Sequence, residues 1–216
     1  MDFPDAARKW NERYARSEGL LFGEQPNTWL LHQAHWLKAN SQLCCLADGE
    51  GRNSVWLAAQ GHAVSAFDLS EVAVERTQKI AASKQVDIDV KVASLEQWIE
   101  ACGDSRHHAT LDAVIAVYIQ FAGPALRAAL FTAIDDVLKP GGVLIIEGYG
   151  QRQLQLRSGG PGVLENLYSP TLLPASFAGW VTLASRDAEV TLSEGSAHVG
   201  PSHVISAVLR KPVPAA

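Results

Sequence analysis

The sequence lacks the marks of several protein classes. It has three cysteines in 216 residues, with no CxxC pair and no spaced framework. Cys44 and Cys45 are neighbours in an apolar run, and adjacent strand residues face opposite ways, so the two cannot readily bridge. Reduced packing cysteines are expected, rather than disulfides, metal binding or redox chemistry. No apolar run reaches the ~18–20 residues of a membrane span. The segment Met1 to Lys9 carries Asp2, Pro4, Asp5, Arg8 and Lys9 and no apolar core, unlike a signal peptide. A cytoplasmic protein is expected. No Lys/Arg-rich stretch is present, and a net charge of −5 with a pI near 5.8 argues against a nucleic-acid partner. Internal repeats and low-complexity tracts are also missing.

What is there alternates between strand and helix patterns. Ala6, Trp10, Arg13 and Tyr14 recur at helical spacing, which places both aromatics on one face. Gly19, Gly23, Pro26 and Asn27 mark a loop, and a helix is predicted over Thr28 to Leu37. Leu43 to Ala47, a short apolar run before glycines, reads as a buried strand. Helices are predicted over Arg52 to Gln60 and, from an N-cap at Ser70, over Glu71 to Lys84. Further strands are expected at His62 to Phe67, Val86 to Ala93, Leu111 to Val117 and Val143 to Tyr149. Pro124 to Leu138 reads as a helix, and Lys139-Pro140-Gly141-Gly142 as a turn. This rhythm implies βαβ units and a parallel sheet covered on both faces. After Gly150 the rhythm breaks. Gln151 to Ser169 is polar, with Gly159, Gly160 and Gly162, and reads as a lid loop. Trp180 to Leu192 and His203 to Arg210 read as an antiparallel hairpin around a glycine-rich turn, Gly195 to Gly200.

Open parallel sheets bind ligands at the carboxyl ends of their strands. Here that edge carries Asp48-Gly49-Glu50-Gly51-Arg52-Asn53 after the first strand. The glycines permit a sharp turn and close approach of a ligand to the main chain. A dinucleotide fingerprint requires a third glycine where this chain has Ser54. Asp48 and Glu50 would repel a pyrophosphate and favour a cationic ligand. S-adenosylmethionine, with a sulfonium and an ammonium and no phosphate, suits such a turn better than NAD does. Asp68, 19 residues past Gly49 at the tip of the second strand, has the chemistry to hold a ribose diol. Ser94 and Leu95 follow the third strand, where an adenine would lie. Val117, Tyr118, Ile119 and Gln120 follow the fourth, on the rim expected for a methyl acceptor.

The segment Leu46 to Ser70 resembles the glycine-rich and acidic-ribose motifs of class I methyltransferases. The Leu138 to Gly142 turn is similar to another landmark of that superfamily. The Gly49-Glu50-Gly51-Arg52-Asn53 run, with Trp10 to Tyr14 and Phe22 to Asn27 before it, resembles small bacterial methyltransferases of the tellurite-resistance and thiopurine group. The resemblance covers residues 10 to 150 well and weakens beyond, where Glu194 to Gly200 is its main support. Cys45 stands where many of these enzymes have an acid, Ala47 where many have glycine, and Ser94 where an Asp often contacts the adenine.

The resemblance implies one methyltransferase domain, residues 1–216, in an α/β, Rossmann-like fold. Its seven-stranded sheet is mostly parallel, ends in a C-terminal antiparallel hairpin and has helices on both faces. Residues 1–40 would form a helical cap, 41–150 the cofactor core, and 151–216 the lid loop and hairpin. It further implies S-adenosylmethionine as cofactor, with S-adenosylhomocysteine as product, held by Trp10, Tyr14, Asp48, Gly49, Glu50, Gly51, Asn53, Asp68, Leu69, Ser70, Ser94, Leu95, Val117, Tyr118 and Gln120. Arg52, Tyr118 and His198 are the candidates for catalysis. No metal is expected, because the histidines lack a third ligand at a suggestive spacing. The partner expected is a small-molecule acceptor. No general-base dyad is visible, which favours a soft or already ionised acceptor such as a thiolate or a chalcogen oxyanion.

Each residue also has a plainer reading. Asp68 could be a helix N-terminal acid, Asp48 a solvated turn residue, and Trp10 and Tyr14 packing aromatics. Arg52 could pair locally, and His198 and His203 could be surface residues of the hairpin. Two rival classes stand beside the methyltransferase. A nicotinamide oxidoreductase shares this kind of sheet, and a non-catalytic S-adenosylmethionine-binding module shares the cofactor residues.

Overall fold

A computed structural model describes residues 3–156 and 158–214. The elements run α1 (Phe3–Ala15), α2 (Thr28–Gln33), β1 (Gln42–Cys45), α3 (Ser54–Ala59), β2 (Ala63–Asp68), α4 (Glu71–Ser83), β3 (Asp89–Val92), α5 (Leu95–Cys102), β4 (Leu111–Val117), α6 (Pro124–Val137), β5 (Leu138–Tyr149), α7 (Gln153–Leu156), α8 (Leu172–Ser176), β6 (Val181–Glu194) and β7 (His198–Arg210). They form one seven-stranded sheet in the order β3-β2-β1-β4-β5-β7-β6. β1 to β5 are parallel, and β7 runs antiparallel between β5 and β6.

The middles of the central strands are mostly apolar because both faces are buried, with Glu147 the charged exception in β5. In β4, Ala113 and Ile115 face Leu43, Val143 and Ile145 on one side, where Trp29 and Leu30 of α2 and Leu57 of α3 cover them. Val114 and Ala116 face the other way, into a layer with Leu144, Ile146, Leu95 of α5 and Leu130 and Ile134 of α6. Cys44 and Cys45 divide between these two layers, as adjacent strand residues must, and all three cysteines are free. Among the described residues, no helix is long and apolar enough to cross a membrane.

Several boundaries differ from expectation for identifiable reasons. The helix from Thr28 stops at Gln33 and continues as a 3-10 turn over Ala34–Trp36. Strand β3 is only Asp89–Val92, because Val86 N–H instead closes the end of α4 on the Ala81 carbonyl. The Lys139 to Gly142 turn is a bulge inside β5. Leu138 already pairs with Leu111, and pairing resumes at Val143 with Ala113 after Gly141 takes a φ of +79°. Helix α5 was not expected, although a capping box of Ser94 and Gln97 starts it. The hairpin turn is shorter than expected, so β7 begins at His198 and carries that residue into a strand. The polar segment after Gly150 contains a short helix, α7.

The topology places the site. The chain leaves β1 for β2 and β3 on one side, then crosses back to β4 on the other. A crevice opens at the carboxyl ends of β1 and β4, where the strand order switches.

Candidate active site

The turn after β1 is backbone under tight constraint. Ala47, Gly49 and Gly51 all take left-handed φ, at 45°, 67° and 83°. Ala47 thus does what glycine does more easily. A Cβ on Gly51 would meet Thr77 Cγ2 at 2.6 Å, so α4 can lie this close only against glycine. Asp68, at the end of β2, ties the turn to its own strand. Its Oδ2 accepts from Gly49 N–H at 2.9 Å and its Oδ1 from Ser70 N–H at 2.9 Å. Each oxygen retains a lone pair. Burial raises the Asp68 carboxyl to about 6 despite those backbone bonds.

Asp48 is perturbed further. Burial raises it to about 7, against the pull of the Ser54 hydroxyl that donates to its Oδ2, with Asp68 adding repulsion. Its Oδ1 is buried and has no partner among the described residues. Glu50 is different. Its carboxylate is spent on Arg76 Nη1 at 2.5 Å and on Leu21 N–H at 2.6 Å. It therefore holds the 16–27 loop and leaves the negative charge of the turn to Asp48. Asn53 accepts from Asn27 N–H at 2.9 Å, a second tie to the same loop. Ser70 caps α4 and donates its hydroxyl to Asn11 Oδ1 at 2.6 Å, which docks α1. Leu69 is half-buried beside it.

An aromatic series closes over this turn. Tyr14 lies so near that a Cβ on Gly49 would meet its hydroxyl at 2.9 Å. Tyr14 and Trp10 pack as a tilted pair with centroids 5.6 Å apart, and both contact Phe22, at 6.2 and 6.5 Å. Phe22 touches the His198 ring at 4.6 Å, and Tyr118 meets the same ring edge-on at 4.3 Å. Tyr118 bends out of β4 with φ +54°, a strained position typical of functional rims. Tyr149, from β5, lies 4.9 Å from Tyr118, and Gly160 of the 158–160 segment packs on its ring.

Behind these rings lies a buried charged lattice. Glu147, 1 % exposed in the middle of the sheet, accepts from Asn27 at 2.8 Å, Tyr118 at 3.1 Å, Ser206 at 2.6 Å and Arg186. Arg52 Nη1 lies 2.8 Å from Glu194 Oε2 and donates to the Phe22 carbonyl at 3.1 Å. Glu194 Oε1 accepts from Asn27 and from Thr28 N–H. Burial opposes ionisation of Glu194, but His198 and Arg52 together hold its carboxyl down to about 2. Arg52 thus pairs across the fold with the hairpin rather than locally. His198 is buried among aromatics rather than lying on the surface.

Other expected residues have plainer surroundings. Gln120 spends its side-chain amide on both backbone groups of Tyr149 and on the Asn166 carbonyl. Ser94 Oγ accepts from Gln97 N–H at 3.2 Å and is free to donate, and Leu95 is buried beneath it. Val117 ends β4 in register with Glu147. His203 has both ring nitrogens engaged, one by Arg152 N–H and one by Asp187. No group of three metal-ligating side chains occurs among the described residues.

The family comparison bears on this site directly. Residues 44–142 match a family model described as a methyltransferase domain. The match spans β1 to the β5 bulge. Similar solved structures share the fold at low identity. The protein studied for the conversion of a disulfide bond into a thioacetal group during echinomycin biosynthesis superposes with a TM-score of 0.74 at 17% identity, over 98% of this chain and 94% of that one. TehB from Haemophilus influenzae gives 0.69 at 12% identity, over 95% of this chain and 66% of its own. Magnesium protoporphyrin IX methyltransferase from Synechocystis, determined with bound SAH, gives 0.64 at 15% identity, over 96% and 99%. No curated protein matches by sequence.

The cofactor of such a domain is S-adenosylmethionine. The residues present fit it. The unpartnered Asp48 Oδ1 offers a buried acceptor to a cationic amino group. Asp68 has the spare lone pairs a sugar diol requires. A pyrophosphate would meet two carboxylates instead of a third glycine.

Proposed function

We propose that this protein is a cytoplasmic enzyme, one methyltransferase unit over its whole length, which transfers a methyl group from S-adenosylmethionine to a small-molecule acceptor. One observation carries the reading most: Asp48 presents an unpartnered buried oxygen in a glycine turn whose other carboxylate is already neutralised by Arg76. Bound there, S-adenosylmethionine supplies a methyl group already activated by its sulfonium. Asp48 holds the cationic amino-acid end, Asp68 the ribose, and Ser94 with Leu95 the adenine. Trp10 and Tyr14 exclude water from above. Tyr118, Tyr149, Phe22 and His198 wall the acceptor side and bring the acceptor into line, which in a dry site supplies much of the rate.

A small acceptor suits a site enclosed by the 16–27 loop, the hairpin tip and the 158–160 segment. The sequence resemblance supports a soft acceptor, a thiol or a chalcogen oxyanion, as in the tellurite-resistance and thiopurine group. The acid-flanked turn disfavours a nicotinamide enzyme. The strained Tyr118 and the built acceptor wall favour catalysis over mere cofactor binding. Titration calorimetry with S-adenosylhomocysteine tests the reading. Saturable one-site binding is expected, with no binding of NADH. Well-folded protein that binds neither S-adenosylmethionine nor its product overturns it.

A further inference from the structure

Resting on that reading, the remaining question is which group takes a proton from the acceptor. The site holds many titratable side chains, and nearly all are committed. Glu147 spends its oxygens on four donors. Glu194 is too weak a base with its carboxyl near 2. Burial and the neighbouring carboxylates push the Tyr118 hydroxyl well above its ordinary range, and that hydroxyl donates to Glu147. Burial raises Tyr149 as well. Asp48 and Asp68 belong to the glycine turn. Both nitrogens of His203 are engaged, and His62 precedes β2 at the opposite edge of the sheet.

His198 differs from all of these. Its Nδ1 lies 3.6 Å from Glu194 Oε2, short of a formed hydrogen bond, and the ring keeps 11% of its side chain exposed. Its Nε2 makes no hydrogen bond among the described residues. Glu194 is itself fixed by Arg52 at 2.8 Å. The ring is clamped between Phe22 and Tyr118, with Tyr149 at 5.8 Å. Phe22 in turn reaches Tyr14 over the glycine turn. A carboxylate facing Nδ1 selects the tautomer with its proton on Nδ1 and a lone pair on Nε2. The 3.6 Å gap is the loose geometry usual before substrate binds.

We propose that His198 is the general base of this site, oriented by the Glu194–Arg52 pair, and that the acceptor arrives with its proton still on the reacting S, O or N atom. In the step, the acceptor's lone pair forms the new bond to the methyl carbon. The carbon–sulfur electron pair stays on the donor's sulfur. The acceptor's proton passes to His198 Nε2 and then to solvent as the product leaves. Burial, with Arg52 and the Arg13 guanidinium that lies over Trp10, lowers the His198 pKa below its ordinary value, while Glu194 opposes them. The ring is therefore neutral, and able to accept, at pH 7. Within the soft acceptors proposed above, this favours a thiol over a preformed oxyanion. Arg52 has no free charge for an oxyanion to use.

Nitrogen-detected NMR of the imidazoles, on protein saturated with S-adenosylhomocysteine, tests the base without turnover. His198 is expected neutral at pH 7 with Nδ1 protonated, and its titration midpoint should fall further in Glu194→Gln. A midpoint above 7, or a proton resident on Nε2, overturns the proposal. His198→Gln is then assayed on a set of alkyl and aryl thiols, phenols and amines, with selenite as the preformed anion. About a 100-fold or greater loss of kcat on every protic acceptor used, with S-adenosylhomocysteine affinity within about threefold, is expected. Turnover confined to selenite and indifferent to the substitution overturns the base but leaves the methyltransferase standing. Loss of S-adenosylhomocysteine binding by the unmodified protein refutes the methyltransferase reading itself.

Discussion

The proposed cofactor half of the site is backbone held by two carboxylates, whereas the proposed acceptor half is side chains held by one another. Residues 45–70 supply the glycine turn and both carboxylates of the first, within one βαβ unit. The second draws on five distant pieces: the 16–27 loop, the start of α3, the rims of β4 and β5, and the hairpin. A local site needs only that one unit folds correctly. A side-chain lattice needs the whole sheet in register, because Glu147 reaches Ser206 only when β5 pairs with β7 as it does. Stability and ligand affinity should therefore separate between the two halves.

Glu147→Ala is the strongest way to break that contrast. It would leave Arg186, Asn27, Ser206 and Tyr118 facing a void where a buried carboxylate stood. Breaking such a pair costs about 3–5 kcal/mol. Denaturant unfolding should show a loss near 4 kcal/mol. A loss under 1 kcal/mol would mean the lattice is slack and the acceptor wall is not set by it.

Asp68→Ala should act the other way round. Charge-assisted hydrogen bonds to a sugar diol are worth about 1.5–3 kcal/mol, so S-adenosylhomocysteine affinity should fall about 100-fold. The midpoint of unfolding without ligand should drop far less than in Glu147→Ala. Equal affinity in the variant and the parent would remove Asp68 from the ribose.

Asp48 sharpens the comparison through pH. Its carboxyl is raised to about 7 from an ordinary 3.8, so the folded state disfavours its charge. This contribution to stability is greatest at acid pH, falls as pH rises from about 4, and levels off above about 7. A bound ammonium reverses the preference. Cofactor affinity should strengthen about tenfold per unit as pH rises towards 7, then flatten. Calorimetry at pH 6 in buffers of different ionisation enthalpy should show a proton released on binding. Asp48→Asn should raise the melting temperature of the ligand-free protein at pH 8 and weaken S-adenosylhomocysteine about tenfold. A variant that melts lower and binds normally would reduce Asp48 to a turn residue.

The same contrast governs what could be read in advance. The Asp48-to-Ser70 segment is contiguous, and its spacing, glycines and caps are local signals. The bounds of β4 matched expectation because its burial on both faces writes itself as an apolar run, Leu111 to Val117, interrupted only by Asp112 near its start. Arg52 illustrates the opposite. Its partner Glu194 is distant in the chain, and no periodicity announces such a pair. His198 was misplaced because the hairpin turn is shorter than the Gly195 to Gly200 run suggested, which shifts the residue from turn to strand. Two signals were present and unused. The capping box at Ser94 and Gln97 announces α5, and an acid inside the apolar Val143 to Tyr149 run marks Glu147 as a charge that must find partners.

The smallest effect concerns the joint between the halves. Helix α1 carries Trp10 and Tyr14 over the glycine turn, and its Asn11 Oδ1 accepts from the Ser70 hydroxyl at 2.6 Å and from Val72 N–H at 3.4 Å. Asn11→Ala removes both neutral hydrogen bonds, the second of them long, a net cost of about 1 kcal/mol. Ser70 still caps α4 through Ala73 N–H, so the core of the fold should hold. Hydrogen exchange should rise in α1 and not in the sheet, and the S-adenosylhomocysteine off-rate should increase a few-fold with little change in on-rate. Exchange that rises equally in α1 and β7 would show that the cap and the lattice open as one body, which would end the separation argued here.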